Sequence, residues 1–187
     1  MNNLNFKNIA EQLLDTFLEA GKIAKEISQK GVKIVMKPDQ SPVTDGDLEV
    51  DKIITKKIYK LTPQIPIISE ETSDNKNIKN LKNFWLIDPI DGTYDYINDL
   101  DEFTINAALI IDRKPKAGLI FAPAKNRMFF SYGDGFAFEL INGKNIKLDG
   151  SKNFNKDDIK FVAYSNNIKP EIDKIHKKLN VKTYTRM

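Results

Sequence analysis

Acidic side chains delivered to the ends of apolar runs are the residues of this chain best placed to do chemistry. In "FWLIDPIDGTYDYI" (84–97), four apolar residues lead into Asp88. Asp91 follows three positions later, with Gly92 and Thr93 behind it. Two carboxylates this close repel unless one is protonated or a cation lies between them. With only oxygen donors to hand, the ion that suits them is a hard divalent cation, Mg²⁺ foremost. Pro89 stiffens the turn and Gly92 permits close backbone approach. A short helix expected over Thr93–Ile97 would turn free N–H groups toward the same spot, a seat for phosphate. Taken alone, the stretch reads equally well as a turn former, Asp88, followed by a helix cap, Asp91.

Two further stretches add acids. "IPIIS" (65–69) runs into Glu70 and Glu71, plausible neighbours of Asp88 if the two apolar runs pair in one sheet. By themselves such glutamates are ordinary solvated loop residues. "SPVTDGD" (41–47) supplies Asp47, which also reads simply as the capping acid of the helix that follows. If the three loops converge, the pocket suits metal-assisted hydrolysis of a phosphate ester. Two ions about 3.5–4 Å apart would be held by shared carboxylates. A threonine hydroxyl bonded to an acid would orient the attacking water.

The elements that must position these acids are legible in outline. Residues 4–30 carry a helical stripe of Leu4, Ile9, Leu13, Leu14, Phe17, Leu18, Ile23, Ala24 and Ile27, stopped by Gly31. "KPDQSPVTDGD" (37–47) reads as a loop, and Thr44 with Asp47 predicts a capping box opening a helix over 45–61. Leu48, Ile53, Ile54, Ile58 and Leu61 are expected on its inner side. Strands are predicted at 65–69, 84–88, 103–111, 116–122, 127–132 and 136–141, with an Asn-Gly turn at 142–143 into "KNIKL". Their short connections imply a largely antiparallel sheet under the two helices. A polar linker at 149–157 precedes a strand, a helix over 169–179 and another strand. This divides the chain into a metal-bearing domain, 1–150, and an incomplete β-α-β domain, 151–187.

Composition narrows the partners. The 187 residues are 41% hydrophobic and 29% charged with a net charge of +3, enough for a sizeable core under an ordinary polar surface. Lysines alternate with acids along the chain and Arg113, Arg127 and Arg186 are its arginines, which argues against a nucleic-acid footprint. With no cysteine and His176 as the single histidine, thiolate chemistry and an ordinary zinc site are excluded. No apolar run reaches the ~18 residues of a membrane span, and the N-terminus lacks a signal-peptide core. A cytoplasmic location and a small-molecule partner are the expectation.

"WLIDPIDGT", the upstream "SEE" and "SPVTDGD", in this order, resemble the magnesium-dependent, lithium-sensitive phosphatases of the inositol monophosphatase superfamily. "KPDQSPVTDGD" and "FTINAALI" look most like the 3′(2′),5′-bisphosphate nucleotidases within it. The resemblance implies an α/β layered sandwich, αβαβα in the complete fold. It implies two or three Mg²⁺ ions, with Glu70, Asp88 and the Ile90 carbonyl at one and Asp88 and Asp91 at a second. Glu70 would also serve a weaker third, and Li⁺ would inhibit. Gly92 and Thr93 would bind phosphate through backbone N–H groups, with Thr93 and Asp47 activating water and Glu70 assisting. The implied substrate is adenosine 3′,5′-bisphosphate. Tyr94-Asp95-Tyr96 stands where the nucleotidases usually have Lys-Glu-Phe, which leaves an inositol monophosphatase-like preference open. The family's later "W-D-x-A-A" motif has no counterpart after "VKTYTRM", so a C-terminally truncated relative with weak catalysis and partial cation binding is the other expectation.

Overall fold

The computed structural model describes residues 4–71, 80–150, 160–163, 168–181 and 183–186. The chain divides into two compact units, Met1–Leu148 and Asp149–Met187.

The first unit opens with α1 (Phe6–Lys30). Asn5 caps it by accepting from the Asn8 N–H, and Gly31 ends it at φ 90. Its buried stripe includes Leu13, Phe17, Ala20 and Ala24. The capping box that opens α2 (Asp45–Leu61) is formed as its spacing predicts. Thr44 Oγ1 accepts from the Asp47 N–H at 3.2 Å, and Asp47 Oδ2 accepts from the Thr44 N–H at 2.8 Å. The inner face of α2 differs from expectation. Leu48 is 49% exposed, while Gly46, Asp47, Val50, Asp51, Ile54 and Ile58 are buried. Two aspartates therefore stand on the stripe that packs against the sheet.

Between the helices the expected loop is a small hairpin, β1 (Ile34–Met36) with β2 (Pro42–Thr44). All three residues of β1 are exposed, so no burial alternation announces it.

The main sheet contains β3 (Ile67–Ser69), β4 (Phe84–Asp91), β5 (Thr104–Ile111), β6 (Lys114–Ala122), β7 (Arg127–Ser131), β8 (Ala137–Ile141) and β9 (Lys144–Lys147), neighbouring one another in chain order. The β3–β4 pairing is parallel and the remaining ones are antiparallel. One face meets α1 and α2 through Trp85, Ile87, Leu109, Leu119 and Phe130. Each fully buried side chain of this size contributes about 1.5–3 kcal/mol. Trp85 also donates its Nε1–H to Thr62 Oγ1 at 2.9 Å, so its one polar atom is satisfied inside the core.

β4 runs three residues further than the sequence indicates, and a bulge explains how. Asp88 pairs with Asn106 and Asp91 with Thr104, so Pro89 and Ile90 together face Ile105 alone. In a regular strand, residues three apart point to opposite faces. The extra residue restores Asp88 and Asp91 to the same face while Pro89 and Ile90 stay buried.

The five-residue α3 (Thr93–Ile97) follows from Gly92, as expected. Its buried Tyr96 donates its hydroxyl to the Ala24 carbonyl at 2.7 Å and packs edge-on against Phe103. A Cβ on Gly46 would fall on the Tyr96 hydroxyl, with ring carbons at 2.7 Å. Alanine favours a helix over glycine by about 1 kcal/mol. Gly46→Ala is nevertheless expected to destabilise the protein by about 1–3 kcal/mol through overpacking. In a Tyr96→Phe background the same change should cost less. Thermal melts of the four proteins of this cycle test the contact, and strictly additive effects would contradict it.

The second unit is β10 (Lys160–Ala163), α4 (Pro170–Lys178) and β11 (Thr183–Arg186), the two strands parallel, the β-α-β pattern read from the sequence. His176 is buried on α4 with its ring 3.9 Å from that of Phe161. Most of the expected linker, 151–157, and the expected end of the first strand, 164–165, lie outside the described residues.

Candidate active site

Parallel pairing is what gathers the acids. β3 and β4 end at the same edge of the sheet, with Ser69 opposite Ile87 and the Glu70 N–H donating to the Ile87 carbonyl at 3.1 Å. Glu70 therefore follows β3 just as Asp88 follows Ile87. Burial, then the charges of Glu70 and Asp91, push the Asp88 carboxyl up to about 7. Asp88 Oδ1 is buried and accepts no hydrogen bond from the described residues.

Asp47 reaches the same region from the first turn of α2, close enough for its charge to act on Asp88. Its Oδ2 takes both the Thr44 N–H, at 2.8 Å, and the Thr44 hydroxyl, at 2.5 Å, while its buried Oδ1 has no partner among the described residues. Burial raises the Asp47 carboxyl, and the bonds from Thr44 only partly offset it. Buried carboxylate oxygens without a protein partner are costly, and one from a strand tip beside one from the first turn of α2 are donors that a hard cation satisfies. The residues present thus fit a divalent ion.

Lys37, from the turn between β1 and β2, enters this acidic cluster. Its ammonium lies 2.8 Å from Glu71 Oε2 and 3.5 Å from Glu70 Oε1. Burial opposes the Lys37 charge, but the two glutamates outweigh that and raise its pKa. Glu71 fares less well, because burial lifts its carboxyl even with Lys37 beside it. On the far side, Asn106 donates its Nδ2–H to Asp91 Oδ2 at 3.2 Å and to Thr104 Oγ1 at 3.1 Å, and its own Oδ1 is buried with no partner among the described residues. Asp88, Asp91, Thr104 and Asn106 line part of a cleft of about 550 Å³ along the sheet, whose other walls are mostly apolar residues such as Leu86 and Ile120.

Gly92 stands at φ 96, and a Cβ there would meet the Glu102 carbonyl at 3.0 Å, so the position demands glycine. No side chain caps the start of α3. Thr93 donates its hydroxyl to the Ile90 carbonyl at 3.1 Å.

Glu70, Asp88, Asp91, Asp47, Ile90, Gly92 and Thr93 thus belong to one neighbourhood, but not every expected contact is made. Among the described residues no three acidic or histidine side chains converge at metal-ligand spacing. Glu70 turns toward Lys37 and Asp91 toward Asn106. The implied Thr93–Asp47 bond is replaced by the bond of Thr93 to Ile90 and of Asp47 to Thr44. Lys37 and Asn106 were not among the candidates drawn from the sequence. The available signals were a lysine opening "KPDQSPVTDGD" and an asparagine inside the apolar run "FTINAALII".

Helices on one face of a mostly antiparallel sheet, with acids at two adjacent strand tips, define a mixed α/β fold of layered type. The chain belongs to the inositol monophosphatase family, whose profile matches residues 5–186. It is 37% identical over 160 residues to the 3′(2′),5′-bisphosphate nucleotidase CysQ of Buchnera aphidicola, covering 80% of this chain and 60% of that protein. In structure it resembles CysQ from Bacteroides thetaiotaomicron at TM-score 0.70 and 23% identity, over 97% of this chain and 73% of that one. It also resembles an inositol monophosphatase/NADP phosphatase complexed with Mg²⁺ and phosphate, at TM-score 0.71 and 18% identity, over 98% and 68% of the two chains. The chain spans about half to three-fifths of the length of the curated relatives it matches. No helix among the described residues is long and apolar enough to cross a membrane.

Proposed function

We propose that the protein is a Mg²⁺-dependent phosphomonoesterase acting on a small phosphate ester, adenosine 3′,5′-bisphosphate by preference. The observation that carries this reading is the pair of buried, unpartnered carboxylate oxygens of Asp47 and Asp88 beside Glu70 and Asp91. The nucleotidases among its relatives support the substrate.

In this reading Glu70, Asp88, Asp91 and the Ile90 carbonyl hold Mg²⁺, in two or three sites. When bound, Mg²⁺ neutralises charge on the phosphoryl oxygens and lowers the pKa of water. The chain's own groups do the rest. Backbone N–H groups at Gly92 and Thr93 seat the phosphate at the uncapped start of α3. The Thr93 hydroxyl and the Asp47 carboxylate orient the attacking water and the carboxylate takes its proton, while the ester P–O bond breaks and the leaving alkoxide takes a proton from solvent water. Lys37 holds Glu71 at 2.8 Å and neutralises part of the charge of Glu70 at 3.5 Å. Nucleic acid and membrane have no part in this reading.

Purified protein with Mg²⁺ is expected to release inorganic phosphate from adenosine 3′,5′-bisphosphate faster than from inositol 1-phosphate, and Li⁺ to suppress the release. A reversed preference would assign it to the inositol phosphatases. One observation favours a second reading, a relative that binds a cation but turns over little: no three acids among the described residues converge at ligand spacing. Phosphate release no faster than in the Mg²⁺-free control would select it.

A further inference from the structure

Asp51 is a buried acid that the proposed mechanism does not use. It lies one helical turn beyond Asp47 on the inner face of α2 and is 3% exposed. A carboxylate among core residues is expensive unless it is hydrogen-bonded. Its partner is Ser69, itself fully buried, whose hydroxyl donates to Asp51 Oδ1.

A hydroxyl has one hydrogen to give and two lone pairs to offer. Donation to Asp51 orients the hydroxyl, and Ser69 Oγ also accepts from the Glu71 N–H at 3.4 Å. The Glu70 N–H between them donates to the Ile87 carbonyl. The turn is thus pinned at three successive residues, and the pin at Ser69 runs back to α2. That helix is the same one that presents Asp47.

We propose that Asp51 is a positioning residue: through Ser69 it fixes the 69–71 turn and so places the Glu70 carboxylate for a divalent cation. The inference rests on the metal reading above. A bond from a neutral hydroxyl to a carboxylate is charge-assisted and stronger than a neutral pair. An alanine at either position removes it, whereas asparagine at 51 keeps a weaker acceptor.

The test uses Asp51→Ala, Ser69→Ala, their double variant and Asp51→Asn, with two readouts. In metal-free protein, amide hydrogen exchange at Glu70 should quicken about tenfold or more in either alanine variant, with Trp85 unchanged. By calorimetry, Mg²⁺ affinity should fall about 10–100-fold in either, no further in the double variant, and less in Asp51→Asn. A wild-type chain that takes up no Mg²⁺ overturns the metal reading. Alanine variants with wild-type exchange at Glu70, or with wild-type Mg²⁺ affinity, overturn the positioning role and leave that reading intact.

Discussion

Asp88→Asn is expected to abolish Mg²⁺-dependent phosphate release, by about 100-fold or more, and at the same time to raise the melting temperature of the metal-free protein. The first effect follows from its place. Loss of an outer-shell partner at metal sites already costs about 10–100-fold, and Asp88 is proposed as a direct ligand of two ions. The second follows from repulsion. Burial and the neighbouring Glu70 and Asp91 lift the folded carboxyl to about 7 from an ordinary 3.8. A pKa raised by folding means that the contribution to stability is full below the unfolded value and is lost as pH rises through the folded one. The metal-free protein should therefore weaken between pH 4 and pH 7, a loss that a neutral asparagine escapes. Relief of about 1 kcal/mol corresponds to roughly 2–4 °C in a chain of this size. Thermal melts in chelator at pH 8 and pH 5 measure it, the gain being larger at pH 8. A variant less stable than wild type at pH 8 would show that the acids do not repel as described.

Lys37→Met should have the opposite sign and a larger size. Glu71's side chain is 3% exposed, and Lys37, 19% exposed, meets it at 2.8 Å. Removing one partner of an enclosed pair costs about 3–5 kcal/mol because the other charge is stranded. The partial exposure of Lys37 brings the expectation down to about 2–3 kcal/mol at neutral pH. Burial already holds Glu71 above its ordinary 4.5, and loss of the ammonium lifts it further. By the same rule the deficit grows as pH rises above that range and shrinks on acidification, when Glu71 is protonated. Urea denaturation at pH 7.5 and pH 5 reads both. Adding Glu71→Gln to Lys37→Met should restore most of the loss; no recovery would mean that Lys37 acts through something other than Glu71.

The legibility of this fold followed the range of the interactions. Thr44 and Asp47 form the capping box their spacing predicts, because both partners lie within one turn. The alternation of Phe103, Ile105, Ala107 and Leu109 likewise marks the buried face of β5. The β1–β2 hairpin was hidden because Ile34, Val35 and Met36 are all exposed and so leave no alternation. Leu48, expected on the inner side of α2, is exposed, and Asp51 is buried there for a tertiary reason: Ser69, 18 residues away, gives the acid a partner inside. In the candidate site, Asp88 and Asp91 were visible as types, but their common face depends on the bulge at Pro89 and Ile90. Lys37 and Asn106 were invisible as participants, since their partners are brought to them by strand pairing and the hairpin.

The central claim is that the tips of β3 and β4 form a Mg²⁺ site, and titration of Mg²⁺ into wild-type protein by calorimetry at pH 7.5 tests it most directly. The account predicts saturable binding that Asp88→Asn removes. A flat titration with wild type, or one that Asp88→Asn leaves unchanged, would contradict it.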